Sequence, residues 1–463
     1  MKTKVPFLSL LLFRFLLAGA TQAQSISDTL IHLQDAVRLA EQRYHLLKSK
    51  QFEAEAAARN IDVVKFSRMP TMDATYQAGI ATANNITGMY NSTGMMPVSG
   101  PTSLANNNTP AVGSAASLLL NWQALTFGER NAQIQVSMAE SIAKNAEFKQ
   151  ALFRHKIDVI SAYLDLLLSY DFIKIHQGNI ARIEASLNQS RALVISGIKP
   201  GIDTALFVSE LSKAKIELMS GQKQLQDCQS VLAQLIVCEA MPIPADTSFL
   251  ERLPADIGTF DATYSSHPQI HLAQSQFDLS QSRESLLKHS ILPKVNLWST
   301  TFARGSGYQP DGSLSANEGL KLDRFNFGAG FQLVIPLLKY GEEKQQLMQQ
   351  VLISKAAQER IFENRSILST QQRIAVNAYR NSVAIAKETE NQLRSGQYVF
   401  DAMKVRYNAG LVSFSDLMQV QYGLLKAELE RKKSYWDAWK ALLLQTAVTG
   451  DENVFIKAIP SLP

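Results

Sequence analysis

Apolar and polar residues alternate with period two in four segments of the chain, and follow a helical period through most of the rest. In Thr71–Ala81 the residues Met72, Ala74, Tyr76, Ala78 and Ile80 share one side, with Thr71, Asp73, Thr75, Gln77 and Gly79 opposite. In 117–124 the apolar side is Leu118, Leu120, Trp122 and Ala124, against Asn121 and Gln123. In 326–335 it is Phe327, Ala329, Phe331, Leu333 and Ile335, against Asn326, Gly328, Gly330 and Gln332. Residues 294–303 alternate less cleanly. These runs have about the 9–11 residues that a tilted strand needs to cross a bilayer. A soluble sandwich with one wet face has the same pattern and stays open at this point. The strands form two hairpins, joined by long connections at 83–114 and 304–323, the first without a charged residue. Long loops of this composition suit the outer side of a membrane barrel. Four strands cannot enclose an interior, since the smallest membrane barrels have about eight. If they span lipid, the barrel is shared between chains.

Two proline-free stretches, 128–197 and 341–410, carry helical periodicity, as in Ile157, Ile160, Leu164 and Leu167. A single helix of either length is ~100 Å long, too long for a globule and ordinary for a helical assembly. Turns then reverse the chain, and return helices are predicted at 211–235 and 417–449.

The pattern is duplicated. Gly128 opens one long stretch and Gly341 the other; Gly197 and Gly410 each follow 69 residues later (197 − 128 and 410 − 341). Asp203 and Asp416 each lie six residues past those glycines. Tyr44 to Pro70 and His267 to Pro293 both span 26 residues. Two copies of one helix–strand–strand–helix unit follow, expected at 24–250 and 251–463.

The N-terminus changes the setting. Lys2 and Lys4, an apolar run over 5–17 and small residues at Ala18, Gly19, Ala20 and Ala23 form a secretory signal pattern, interrupted by Arg14. Residues 1–23 are expected to be removed, with cleavage after Ala20 as the alternative. Their loss lowers the formal charge from +5 to +2, because Lys2, Lys4 and Arg14 go and no acid does. A nearly neutral chain gives no reason to expect nucleic acid as a partner. Cys228 and Cys238, ten residues apart in what the periodicity treats as one helix, are ~15 Å apart on that geometry. That is beyond a disulfide, so both are expected as buried small residues.

No nucleophile–base pair, phosphate loop or complete metal-ligand set is visible, so no enzymatic activity, metal or cofactor is expected. His267 and His271 have a metal-compatible spacing but no third ligand, and Pro268 marks a helix start there. Gly328-Ala329-Gly330 lacks the third glycine of a dinucleotide loop. Trp436 and Trp439 are expected in a core.

Several short motifs occur in order. They are Leu33-Gln-Asp-Ala-Val-Arg-Leu-Ala40, Leu125-Thr-Phe-Gly128, Ile291-Leu-Pro293, Ile335-Pro-Leu-Leu-Lys-Tyr-Gly341 and Tyr407-Asn-Ala-Gly410 followed by Asp416. Over essentially the whole mature chain this set resembles the TolC-like outer-membrane efflux proteins. The resemblance implies a mainly α fold with a small β part. It also implies a homotrimer in the outer-membrane lipid, with a 12-stranded β-barrel continued by a periplasmic α-helical barrel. Such a channel passively receives cargo from a periplasmic adaptor protein and an inner-membrane transporter of RND or ABC type, in a tripartite efflux or type I secretion system. It implies a pore constriction at Asp416, with Gln419 where the family has a second aspartate. It implies a gate latch between Asp203 and Tyr407, with Val412 in place of a family arginine. Gly197 and Gly410 take the periplasmic turns, and Gly128 and Gly341 the strand–helix junctions. Helix capping is the competing role for Asp203 and Asp416. A periplasmic adaptor is the alternative function; it has one helical hairpin and no membrane strands.

Overall fold

The computed structural model describes residues 30–82, 84, 104–197, 201–255, 266–309, 311–452, 455 and 458. The signal segment, most of the first strand connection and residues 198–200 lie outside them.

The order of elements contains the duplication. A short strand β1 (Leu30–Ile31) and helix α1 (Leu33–Arg43) come first. Then α2 (His45–Phe66), β2 (Thr71–Ala81), β3 (Ala111–Leu125), α3 (Glu129–Ile195) and α4 (Ile202–Ile236) form one helix–strand–strand–helix–helix series. After β4 (Ile243–Pro244), the same series returns as α5 (Pro268–Ser290), β5 (Lys294–Ser306), β6 (Arg324–Val334), α7 (Tyr340–Asn408) and α8 (Phe414–Thr449), with a short α6 (Ala316–Leu320) between β5 and β6. The long helices α3 and α7 have 67 and 69 residues. No described helix is long and apolar enough to cross a membrane.

Packing divides the chain into two compact units. One comprises 52–146 and 272–361 and holds a four-stranded antiparallel sheet in the order β2-β3-β5-β6. Its register sets Met72 beside Leu120, Ser299 and Ala329, and Ala74 beside Leu118, Thr301 and Phe327. Trp122, Leu297 and Phe331 form another row of the same parity. Directly opposed residues point to the same side of a sheet. Met72, Tyr76, Leu118, Trp122, Phe327 and Phe331 therefore share one face, and Phe327 is 81% exposed on it. The other face carries Asp73, Thr75, Gln77, Ser117, Asn121, Asn296 and Asn326. There Trp298 lies over Gly328 and Gly330; a Cβ at Gly330 would stand 3.0 Å from its ring. Glycine at those two positions is thus a matter of room for an indole.

Two of the strands are longer than the alternation predicts. β3 begins at Ala111, because the small residues 111–116 are covered by the β5–β6 connection: Gly307 N donates to Val112 O (2.7 Å) and Ser114 Oγ to Gly319 O (2.8 Å). β5 correspondingly continues to Ser306.

The other unit comprises the described residues of 1–51, 147–271 and 362–463 and has two apolar clusters. The larger gathers Tyr163, Leu164, Leu167, Leu232, Phe249, Trp439 and Phe455. Trp439 is fully buried there and donates from Nε1 to Arg252 O at 3.0 Å; Trp436, partly buried, donates to Asp165 Oδ1 at 3.1 Å. Asp246 organises the edge of this core. Its carboxylate accepts from Leu33 N (2.9 Å) and Tyr163 Oη (2.7 Å) and meets His32 Nδ1 (2.8 Å), so a remote residue caps α1.

Cys238 departs from the expectation. Val237 adopts φ 52° and ends α4, which puts Cys238 outside the helix; both thiols are free and half-buried rather than buried. His267 closes the start of α5. Its Nδ1 accepts from Gln269 N (3.1 Å), which leaves Nε2 to donate to Ala447 O (3.0 Å). That pattern suits the neutral ring, and burial pushes its pKa down. His155, stacked on Tyr44 at 3.8 Å, is also pushed down by burial. A histidine with a depressed folded-state pKa contributes stability above its ordinary 6.5 that is lost as pH falls below it. Asp246 raises His32, which acts in the opposite sense, on an exposed ring. Lowering the pH from 7.5 to 5.5 is therefore expected to lower the thermal midpoint in detergent. The fall should be smaller in His155→Gln and His267→Gln; an equal fall in all three proteins refutes the assignment.

Candidate functional site

At both interhelical turns the preceding long helix ends on a glycine in left-handed backbone. At the end of α7, Gly410 has φ +77°, its N–H donates to Tyr407 O (3.0 Å), and Leu411 N donates to Arg406 O (2.9 Å). This pair of bonds is a Schellman cap, and its left-handed position favours glycine. At the end of α3, Gly197 has φ +76° and donates to Val194 O at 2.9 Å. Gly128, between β3 and α3, has φ +102°, and a Cβ there would press on the His289 ring. Gly341 differs: it is the second residue of α7, has no positive φ and faces open space. The junction motif is therefore a backbone requirement in the first copy only.

Past the turns, the helix ends pack on one another. Ile183 and Leu187 of α3, Phe207 of α4, Phe400 and Tyr407 of α7, and Leu417 and Met418 of α8 form the smaller apolar cluster. Phe207 is its hub, edge-on to Phe414 at 4.7 Å and to Tyr407 at 6.0 Å. Tyr407 is 1% exposed, and its hydroxyl donates to Asp203 Oδ2 at 3.0 Å. The sequence pair is thus brought into contact across 204 positions of chain. Burial first, then the Asp203 carboxylate, pushes the Tyr407 hydroxyl up to about 12, so it remains a donor throughout the physiological range. Asp203 is in the first turn of α4, whose N-cap is Gly201. Its carboxylate meets both Tyr407 and the positive end of a helix.

Asp416 does cap, in a way the sequence reading missed. The N-cap of α8 is Ser413. Its Oγ accepts from Asp416 N (3.2 Å), while the Asp416 carboxylate accepts from Ser413 N (3.0 Å) and Ser413 Oγ (2.6 Å). Ser413-x-x-Asp416 is a capping-box signature and was available in the sequence. The Ser413 side-chain and backbone donors hold the Asp416 carboxyl below the usual carboxylate range. Asp416 and Gln419 are both exposed, three residues apart and so on neighbouring positions of one helix face.

Two further polar bridges tie α8 to the first hairpin, and nothing in the sequence signalled either. Arg182 of α3 grips Glu428 with two parallel bonds of 2.9 and 2.7 Å. Tyr422 accepts from Lys213 Nζ (2.9 Å) and donates to Glu210. Arg–carboxylate forks fix geometry as well as energy. Among the described residues no group of acids, histidines and cysteines is placed to hold a metal.

Comparison with known proteins follows the same line. Residues 36–236 match the family model described as outer membrane efflux protein. No curated protein matches the chain. Solved structures share its fold. A membrane protein from Pseudomonas aeruginosa aligns at TM-score 0.74 and 15% identity, over 90% of this chain and 92% of that one. The Campylobacter jejuni CmeC outer membrane channel aligns at 0.71 and 14%, over 90% and 85%. The open state of the Neisseria gonorrhoeae MtrE outer membrane channel aligns at 0.68 and 17%, over 90% and 90%. Residues 36–236 thus match the outer membrane efflux protein family model, and nine-tenths of the chain shares the fold of solved outer membrane channels.

Proposed function

We propose that the chain is the outer-membrane duct of a tripartite efflux or type I secretion system, and that it works as a homotrimer. The observation that carries this is the sheet. It has four strands, one apolar face and two outer strands, β2 and β6, each paired on one side only among the described residues. Unpaired strand edges in lipid cost several kilocalories per mole for each unsatisfied group, so a spanning sheet must close. Three copies give a 12-stranded barrel, with the Phe327 face toward lipid and the Gln77 face toward the lumen.

On this reading each of the two series, 24–250 and 251–463, is one structural repeat of the protomer. The turns at Gly197 and Gly410 point into the periplasm, where an adaptor protein docks and an RND or ABC transporter delivers cargo. Tyr407 and Asp203 latch the two hairpins together, and three copies of Asp416 and Gln419 ring the narrowest part of the pore.

Crosslinking in outer-membrane vesicles tests the assembly. A three-subunit species is expected as the end product. A detergent-stable monomer that keeps all four strands overturns the proposal.

A further inference from the structure

β5 and β6 oppose two arginines directly. Arg304 and Arg324 are register partners, in a row that continues through Ala115 to Gln77. Side chains directly opposed across a strand pair have Cβ atoms about 4.5–5.5 Å apart, and like charges there are destabilising. Both side chains are exposed, and neither has an ion-pair or hydrogen-bond partner among the described residues. The β2–β3 connection cannot supply a carboxylate, because residues 83–114 contain no acid.

The nearby acids are otherwise placed. Asp311 accepts from Ser313 N and Oγ. Glu318 pairs with Lys321. Asp323 lies just before β6, one residue from Arg324. The β5–β6 connection, 307–323, carries three acids and one lysine and crosses the other face: a Cβ on Gly305 would overlap the Lys321 carbonyl oxygen. Strand alternation turns Arg304 away from it. Beside Arg304 lies a cavity of ≈ 830 Å³ at the end of the sheet, lined among others by Gln77, Gly79, Asn107, Ala115, Arg304 and Tyr308, with Arg324 outside its lining. Its wall offers amide and hydroxyl donors beside the guanidinium, with no carboxylate.

We propose that Arg304 and Arg324 form an oxyanion site for phosphate-type groups at the outer end of the sheet, open to the lumen. This rests on the barrel reading above. Two forked guanidiniums side by side match the oxygens of one phosphate or of adjacent phosphates. Three copies set six such groups around the outer mouth. The ligand is free oxyanion passing or entering the duct; lipid phosphate shares the chemistry and is separated by the test.

The full-length protein in planar bilayers at about 0.1 M salt, where a charge is felt over about 10 Å, is exposed to inorganic pyrophosphate on the extracellular side only. Wild type should show concentration-dependent block. Arg304→Gln/Arg324→Gln should raise the half-blocking concentration at least ten-fold, while Arg304→Lys/Arg324→Lys should keep block within a few-fold of wild type. Equal block in all three proteins overturns the site. Unchanged block together with loss of co-purifying lipopolysaccharide in the Gln variant also overturns it, by placing the pair against lipid. A protein that inserts and forms no channel refutes the barrel reading itself, a result distinct from a channel that conducts without block.

Discussion

Leu120→Arg is expected to remove most of the protein from the outer membrane, whereas Leu119→Arg, one residue earlier, is expected to leave insertion near wild type. Leu120 is in the row Met72–Leu120–Ser299–Ala329, which crosses β6 at its centre. On the proposed barrel that row is at mid-depth and faces lipid. A charged residue at that depth costs about 2–4 kcal/mol of insertion free energy. Leu119 pairs with Asp73 and Thr300 and faces the polar side, where a guanidinium stays in water. Quantifying heat-resistant trimer in extracted outer membranes checks both variants. Similar yields for the two would mean that the faces are misassigned, since a one-residue step along a strand reverses every side chain.

The second large effect is expected at the turns. Tyr407→Phe combined with Asp203→Ala removes a part-buried hydrogen bond to a carboxylate, the kind that contributes about 1.5–3 kcal/mol. The Phe207–Tyr407–Leu417 packing is left in place. Three latches are lost per trimer, so single-channel conductance in a planar bilayer should rise. Asp416→Gln should behave differently. A glutamine at that position can still complete a capping box, so α8 keeps its start and resting conductance stays nearer wild type. What should weaken is block by divalent or trivalent cations, because the negative ring is gone. Cation block unchanged in Asp416→Gln would reduce Asp416 to a helix cap. Conductance unchanged in the Tyr407/Asp203 variant would reduce that pair to ordinary packing.

The strands and turns were legible in the sequence for reasons the structure makes concrete. β2 spans Thr71–Ala81 as its alternation predicts, because every second residue is apolar up to its end. The turn glycines were legible because they occupy left-handed backbone. Legibility failed where the determinant is remote in sequence. The start of β3 at Ala111 depends on Gly307 and Gly319, about two hundred residues later, and residues 111–116 have no alternation of their own. Asp246 caps α1 from across the unit, and a lone aspartate after Ile243-Pro244-Ala245 carries no local sign of that role. α4 begins at Ile202, earlier than the expected 211; its N-cap, Gly201, makes no side-chain cap bond, so no local signal marks the start. The Ser413 box is a different case: its signal, Ser413-x-x-Asp416, is local in the sequence.

The sheet register has a consequence for how a protomer comes together. β2–β3 and β5–β6 are neighbours along the chain, but the central pairing sets Gly113 against Ser306, 193 residues apart (306 − 113). Joining distant residues carries a loop-closure entropy that rises by about 0.6 kcal/mol for each doubling of the intervening length. The intervening chain includes all of α3 and α4, whose contacts within a helix are local and fast to form. Folding that hairpin first shortens the effective loop, after which the two strand hairpins can zip along β3 and β5. The opposite order would leave four unpaired strand edges waiting on a slow search, each a template for misassembly. On this order the ladder that gives the sheet its continuity is also its latest-forming part, and the long helices act on the kinetics of the strands.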